Sequence, residues 1–240
     1  MTTPHKLDPS RETLHGQFNP DLEPALTVQP GDRVLDTCAA PGGKTAHMAV
    51  QMENRGTIIA NDRSFGRLRA LRNVIDRFGL LNISMMTYDA ANFPRAIGRF
   101  DRALVDVPCS CEGTTRKNPR VLEKCKRFDY VSMGRLQQAI LRRALEQVRP
   151  GGSLVYSTCS YAPEENEMVV QAALDEFGWE RVSIEPIALP GFTTQAGLEH
   201  WAGKTFHPSM RNAIRAWPHH NDSGGFFVAL IRRVDTVEED

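Results

Sequence analysis

A chain of 240 residues, 41% of them hydrophobic, is long enough to bury one sizeable core and fits a single α/β domain. Its 29 basic and 29 acidic side chains cancel, which excludes a bulk positive field, so any contact with nucleic acid has to come from a local patch. No stretch approaches the roughly 20 apolar residues of a membrane span, and the opening Met1-Thr2-Thr3-Pro4-His5-Lys6 lacks the apolar centre of a signal peptide. A cytoplasmic protein with no membrane partner is expected, and its five cysteines, an odd number, favour free thiols over a disulfide framework.

Residues 1–30 carry Pro4, Pro9, Pro20, Pro24 and Pro30 among few apolar clusters and read as an extended or loosely packed arm; residues 31–240 read as the folded domain. From Arg33 onward, short apolar runs alternate with helical stretches, the pattern of a parallel sheet with crossover helices. The runs are Val34-Leu35-Asp36, Ile58 to Asp62, Ile83 to Met86, Ala103 to Asp106 and Leu154 to Ser157. Between the second and third, Phe65, Leu68, Leu71, Ile75 and Phe78 recur at steps of three or four and predict an amphipathic helix. A second helix is predicted from Val131 to Val148, stopped by Pro150-Gly151-Gly152, and a third after Pro163 with Glu164 and Glu165 in its first turn. After the turn Ser223-Gly224-Gly225, Phe226 to Ile231 reads as a last buried strand.

In a doubly wound sheet a ligand sits beyond the carboxyl ends of the strands, where Asp36, Asp62 and Asp106 fall, with Asp89 in the loop past the third run. The segment Asp36 to Thr45 (DTCAAPGGKT) follows the first strand and opens a helix. Its small residues let backbone amides approach a ligand, although a plain tight turn is the simpler reading of a Gly-Gly pair. The Walker spacing fails, because Cys38 stands where a glycine is needed, and the G-x-G-x-x-G fingerprint is absent. Asp62 stands where an acid holds ribose hydroxyls, and Asp89 could accept from an adenine amino group; singly each reads as a loop-capping Asp. Together they outline an adenosine-shaped pocket that asks for no pyrophosphate, which suits S-adenosylmethionine. At the ends of the fourth and fifth strands two cysteines, Cys109 and Cys159, reach the same rim. Cys-x-Cys is also half of a metal site, but no second Cys or His pair accompanies it, so no metal is expected.

Three motifs, DTCAAPGGKT (Asp36 to Thr45), DVPCSCEGTTRKNP (Asp106 to Pro119) and STCSYAPEEN (Ser157 to Asn166), resemble in order and spacing those of the Sun family of RNA 5-methylcytosine methyltransferases. The resemblance runs from about Gly31 to the C-terminal strand and includes Trp201, Arg211 and Pro218. It implies a Rossmann-like class I S-adenosylmethionine-dependent methyltransferase fold, with a mostly parallel seven-stranded sheet and helices on both faces. It also implies methyl transfer to carbon 5 of cytosine in rRNA, or secondarily tRNA, with Cys159 as covalent nucleophile, Cys109 serving product release and Asp106 holding the base edge near ring nitrogen 3. Carbon 5 of cytosine is a poor nucleophile until a thiolate adds to carbon 6, which is why the chemistry calls for a cysteine. By the same resemblance Cys38, Ala39, Ala40, Pro41, Gly42, Gly43, Lys44, Asp62, Arg67, Asp89 and Asp106 line the cofactor site.

DNA cytosine methyltransferases draw their nucleophile from a Pro-Cys motif, which would promote Cys109, but Thr-Cys-Ser-Tyr followed by Pro163-Glu164-Glu165-Asn166 has no role in that scheme. A non-catalytic S-adenosylmethionine-binding assembly factor would need neither thiol. Six basic residues between Arg116 and Arg127 face only Glu123, a solvated loop in the bland reading and a phosphate-contacting rim beside a nucleic-acid site; Arg116, Lys117 and Asn118 are the expected RNA contacts. His219-His220 reads as a polar turn. Cys111 replaces the family's glycine after Pro-Cys-Ser. Many relatives carry an N-terminal RNA-binding domain where this sequence has its Pro-rich arm, so RNA is expected to be held by a partner protein, by its own large structure, or by the basic rim.

Overall fold

The computed structural model describes residues 26–234. Of the expected arm, residues 1–25 lie outside the described residues, while Leu26 and Val28 are buried against Val34, Ala49 and Met52.

In chain order, β1 (Arg33–Asp36) leads into α1 (Gly43–Gln51), β2 (Thr57–Asn61), α2 (Phe65–Phe78), β3 (Ile83–Met86) and β4 (Phe100–Asp106). After α3 (Val121–Cys125) and α4 (Tyr130–Gln147) come β5 (Val148–Thr158), α5 (Glu167–Phe177) and β6 (Val182–Glu185). The short β7 (Gln195–Ala196), β8 (His200–Trp201) and β9 (Lys204–Thr205) precede β10 (Ile214–Ala216), α6 (Pro218–Asn221) and β11 (Phe226–Arg233). The sheet runs β3-β2-β1-β4-β5-β11-β10-β7, with β6 also on β11. Strands β1 to β5 pair in parallel and β11 runs antiparallel to β5. The strand order reverses at β1, between β2 and β4, which opens a crevice at the carboxyl ends of β1 and β4.

Alternation along the strands divides the core. Leu35, Ile59, Ala103, Val105, Leu154 and Tyr156 face α4 and α5, packing with Leu141, Leu145, Val170 and Leu174. Their neighbours Val34, Ile58, Leu104 and Val155 pack on the opposite face with Met48 and Ala49 of α1 and with Met52 just past its end. Helix α2 is capped by Ser64, whose side chain accepts from Arg67 N at 3.3 Å, and stops at Gly79, φ 61°.

Four expectations need correction. The sheet has nine strands rather than seven, because the outer edge of β11 is shared: β10 pairs its first half and β6 its second, and β7 extends β10. Pro150-Gly151-Gly152 lies inside β5 instead of stopping the chain before it; the register slips between Phe100 and Arg102, and that irregularity absorbs the three residues. The third helix begins at Glu167, not after Pro163, because Glu165 is drawn into a buried network. Phe65 and Phe78, the ends of the apolar stripe on α2, are exposed, and only Leu68 and Leu71 are buried. The pair His219-His220 sits in α6.

Candidate active site

The crevice between β1 and β4 gathers the candidate cofactor residues. Asp36 ends β1 buried, and one carboxylate oxygen accepts from the Thr45 hydroxyl at 2.7 Å. The other is buried without a hydrogen-bond partner in the protein. Burial above all pushes the Asp36 carboxyl up to about 7; the Thr45 hydrogen bond opposes this, the Asp106 charge adds to it, and Lys44 opposes it again. The turn from β1 into α1 needs glycine at Gly42, where φ is 110° and a Cβ would lie 2.5 Å from Leu71 Cδ1 and 3.1 Å from Leu71 Cα. Asp62, just past β2, accepts from Ala40 N at 3.2 Å and Ser64 N at 2.9 Å, and pairs with Arg67 at 3.1 Å. Arg67 in turn donates to Ala40 O at 2.5 Å, so both side chains hold the Ala39 to Pro41 loop against the start of α2. The Cys38 thiol is pushed up to about 12 by burial, which leaves it unreactive at neutral pH. Asp89 is exposed and caps a short turn, accepting from Ala91 N at 3.1 Å and Asn92 Nδ2 at 2.9 Å. Buried Asn61 ties the loop after β3 to the turn after β1, donating to Thr37 O at 3.0 Å and Tyr88 O at 3.1 Å.

Parallel pairing of β4 with β5 sets Asp106 opposite Ser157. The Ser157 hydroxyl donates to Asp106 at 2.8 Å, and Lys44 Nζ reaches the other carboxylate oxygen at 2.8 Å, linking the start of α1 to the end of β4. Just beyond, Cys109 and Cys159 face each other with sulfurs 3.3 Å apart, and the Cys111 thiol donates to Cys109 O at 3.4 Å. All three thiols are free and half-buried. Hydrogen bonds from Cys109 and Cys159 draw the Cys111 thiol down to about 3, helped by the Lys124 charge. Cys109 is held high by its hydrogen bonds with Cys111 and Cys159 and by burial. At Cys159 the Cys109 hydrogen bond favours the thiolate, but Cys111 and burial outweigh it and push the group up to about 12.

A buried network that the sequence reading missed fixes the two thiol-bearing turns to each other. Glu165 accepts from Ser110 N at 2.9 Å, the Ser110 hydroxyl at 2.5 Å and Gln137 Nε2 at 3.0 Å, while Gln137 also donates to Pro108 O at 2.8 Å. Thr158 donates to Asn166 Oδ1 at 2.6 Å, and Asn166 Nδ2 returns a bond to Ser160 O at 3.0 Å. Gly113 N donates to Cys159 O at 2.8 Å, and a Cβ on Gly113 would meet Gly225 O at 2.2 Å. Most of these braces lie inside the STCSYAPEEN and Cys-rich motifs, which was their only sequence signal, while Gln137 on α4 and Gly225 lie outside both.

The expected RNA contacts Arg116, Lys117 and Asn118 are exposed, as are Arg120, Lys124, Lys126 and Arg127. Arg116 pairs with Asp222 beside a hollow of about 690 Å³ that is also lined by Tyr161, Trp217, Pro218 and His219. The Tyr161 and Trp217 rings stack at 5.1 Å and 20°. Buried Arg215 pairs with buried Glu167 and donates to Tyr161 O at 2.9 Å, which fixes the backbone two residues past Cys159.

The family model described as 16S rRNA methyltransferase RsmB/F matches residues 24–232. The chain is 39% identical over 213 residues to the 28S rRNA (cytosine(4447)-C(5))-methyltransferase of Homo sapiens, covering 87% of this chain and 26% of that protein. To the tRNA (cytosine(49)-C(5))-methyltransferase of Pyrococcus abyssi it is 38% identical over 208 residues, covering 87% of this chain and 66% of the other. Among solved structures, a methyltransferase homolog protein from Pyrococcus horikoshii aligns with a TM-score of 0.72 at 37% identity over 87% of this chain and 64% of that one. NSun6 from Pyrococcus horikoshii with SFG aligns with a TM-score of 0.72 at 32% identity, over 88% of this chain and 50% of that one. The chain thus spans between about a quarter and two thirds of the curated relatives it matches. A class I S-adenosylmethionine-dependent methyltransferase fold, the matched length and the level of identity together establish that the chain belongs to the 16S rRNA methyltransferase RsmB/F family.

Proposed function

We propose that the chain transfers a methyl group from S-adenosylmethionine to carbon 5 of a cytosine in RNA, through a covalent adduct on Cys159. The observation that carries this reading is the pair of sulfurs of Cys109 and Cys159, 3.3 Å apart and beside the Asp106 carboxylate at the ends of adjacent parallel strands. The crevice suits the cofactor. Asp36, Asp62 and Asp106 supply acid to a molecule with two cationic centres, and the orphaned buried oxygen of Asp36 is an acceptor for a donor the protein lacks. The likeness to NSun6 with SFG, an S-adenosylmethionine analogue, points the same way. Bound there, the cofactor supplies an electrophilic methyl group on a sulfonium.

Cys159 Sγ, as thiolate, adds to carbon 6 of the cytosine, and the displaced electron pair makes carbon 5 nucleophilic enough to be methylated. Asp106, oriented by Ser157 and Lys44, holds the base edge and favours the ring protonated at nitrogen 3. After transfer the carbon 5 proton leaves and the bond from sulfur to carbon 6 breaks, with Cys109 serving this release. The base has to leave its stack to admit this attack. The hollow with the stacked Tyr161 and Trp217 offers an aromatic face and a cation to a neighbouring nucleotide, and the basic rim offers contacts to phosphates. Ribosomal RNA is the first substrate to test and transfer RNA the second, in line with the relatives named for 28S rRNA and tRNA.

Incubation with labelled cofactor and total RNA tests the roles. Cys109→Ala is expected to accumulate a protein-RNA adduct that survives denaturation, and Cys159→Ala to form none. The reverse pattern would transfer the nucleophile to Cys109 and overturn the assignment.

A further inference from the structure

Neither the resemblance nor the proposed reaction gives Cys111 a task. Its backbone adopts the left-handed conformation, φ 63°, in which glycine has the advantage. That turn carries its thiol back over the preceding motif. The sulfurs of Cys109, Cys111 and Cys159 all lie within 4.8 Å of one another, and the closest pair is 3.3 Å apart. A metal–sulfur bond of about 2.3 Å in tetrahedral geometry sets its thiolates about 3.8 Å apart, a spacing these sulfurs bracket. Cys-x-Cys alone supplies two donors; the third arrives from the end of β5, fifty residues after Cys109.

We propose that Cys109, Cys111 and Cys159 form a three-thiolate site for a soft metal ion of the Zn2+ kind, which silences the centre reversibly. Thiolates select such ions over Mg2+ or Ca2+. Each sulfur binds as its thiolate, any proton still on it passing to solvent, and no electrons are transferred. The lone pair with which Cys159 would attack a base is then committed to the metal, so the metal-bound and reacting states exclude each other. Cys111 is the residue that raises the site from two donors to three.

The test needs neither RNA nor S-adenosylmethionine, so its failure and that of the proposed reaction are separable. The full chain, reduced and metal-free, is titrated with Cd2+, and the ultraviolet sulfur-to-cadmium band is read. One equivalent is expected to saturate the wild type. In Cys111→Gly the band falls to about two thirds, three thiolates becoming two, and affinity weakens by at least about tenfold. Cys38→Ser and Cys125→Ser are expected to match the wild type. Cys111→Gly keeps the fold, because glycine is favoured at this φ. In parallel, one equivalent of Zn2+ is expected to protect Cys109 and Cys159 from iodoacetamide in the wild type, with a chelator restoring reactivity. An equal band and affinity in Cys111→Gly, or no protection by Zn2+, overturns the proposal.

Discussion

Asp36 shows how one buried group couples the site to the stability of the chain. Its carboxyl is pushed up to about 7, foremost by burial. Below about pH 4 it is protonated in folded and unfolded chains alike. Between about pH 4 and pH 7 the unfolded chain releases this proton while the ligand-free native state keeps it. The native state then binds more protons, and stability falls as pH rises through that window. Comparison of wild type with Asp36→Asn by urea denaturation at several pH values should show the difference in stability changing by on the order of 4 kcal/mol between about pH 4 and pH 7, in the direction of wild-type loss. Parallel curves would show that the carboxyl ionises normally.

The turns that carry the thiols are held by side chains rather than by sheet hydrogen bonds. Glu165 terminates three donors from two other segments of chain, Ser110 N, the Ser110 hydroxyl and Gln137 Nε2. Truncation at Glu165→Ala strands Ser110 N in a buried space and leaves the Ser110 hydroxyl with Ser160 Oγ and Gln137 Nε2 with Pro108 O, with an expected cost of about 2 kcal/mol in chemical denaturation. Glu165→Gln retains an acceptor oxygen and is expected to lose less. A loss under about 1 kcal/mol for the alanine variant would mean that other groups, or water, take over the donors. This network also explains why the reading of Glu164 and Glu165 as the first turn of a helix fails. Local preference puts acids in a first turn, but the pull of three buried donors on Glu165 delays α5 until Glu167.

Across the whole molecule the charges cancel, so attraction to RNA rests on where they are. Arg120, Lys124, Lys126 and Arg127 are exposed in and around α3, next to the motif that carries Cys109 and Cys111. If this rim contacts single-stranded phosphates, each neutralising substitution removes about 0.7 from the slope of log affinity against log salt. Fluorescence anisotropy with a single-stranded oligoribonucleotide, comparing wild type with Arg120→Gln and Lys124→Gln across a salt series, reads that slope. Weaker binding at an unchanged slope would place these charges away from the backbone of the RNA.

The alternating apolar runs in the sequence determined the parallel β1 to β5 core and the helices on its two faces, because a period of two along a strand and of three to four along a helix are properties of local chain geometry. The motif resemblance likewise named the family, and with it Asp106, Cys109 and Cys159. Only the tertiary structure decided the two additional strands, since the outer edge of β11 is divided between β10 and β6 by pairings distant in the chain. It alone decided that Asp62 and Arg67 hold the Ala39 to Pro41 loop and that Glu165 and Gln137 brace the thiol turns. It alone brought the Cys111 thiol together with those of Cys109 and Cys159. By sequence a Cys-x-Cys without a second pair argued against a metal, but spacing along a chain does not measure distance in space, and folding brings Cys159 to within 4.8 Å of both other sulfurs.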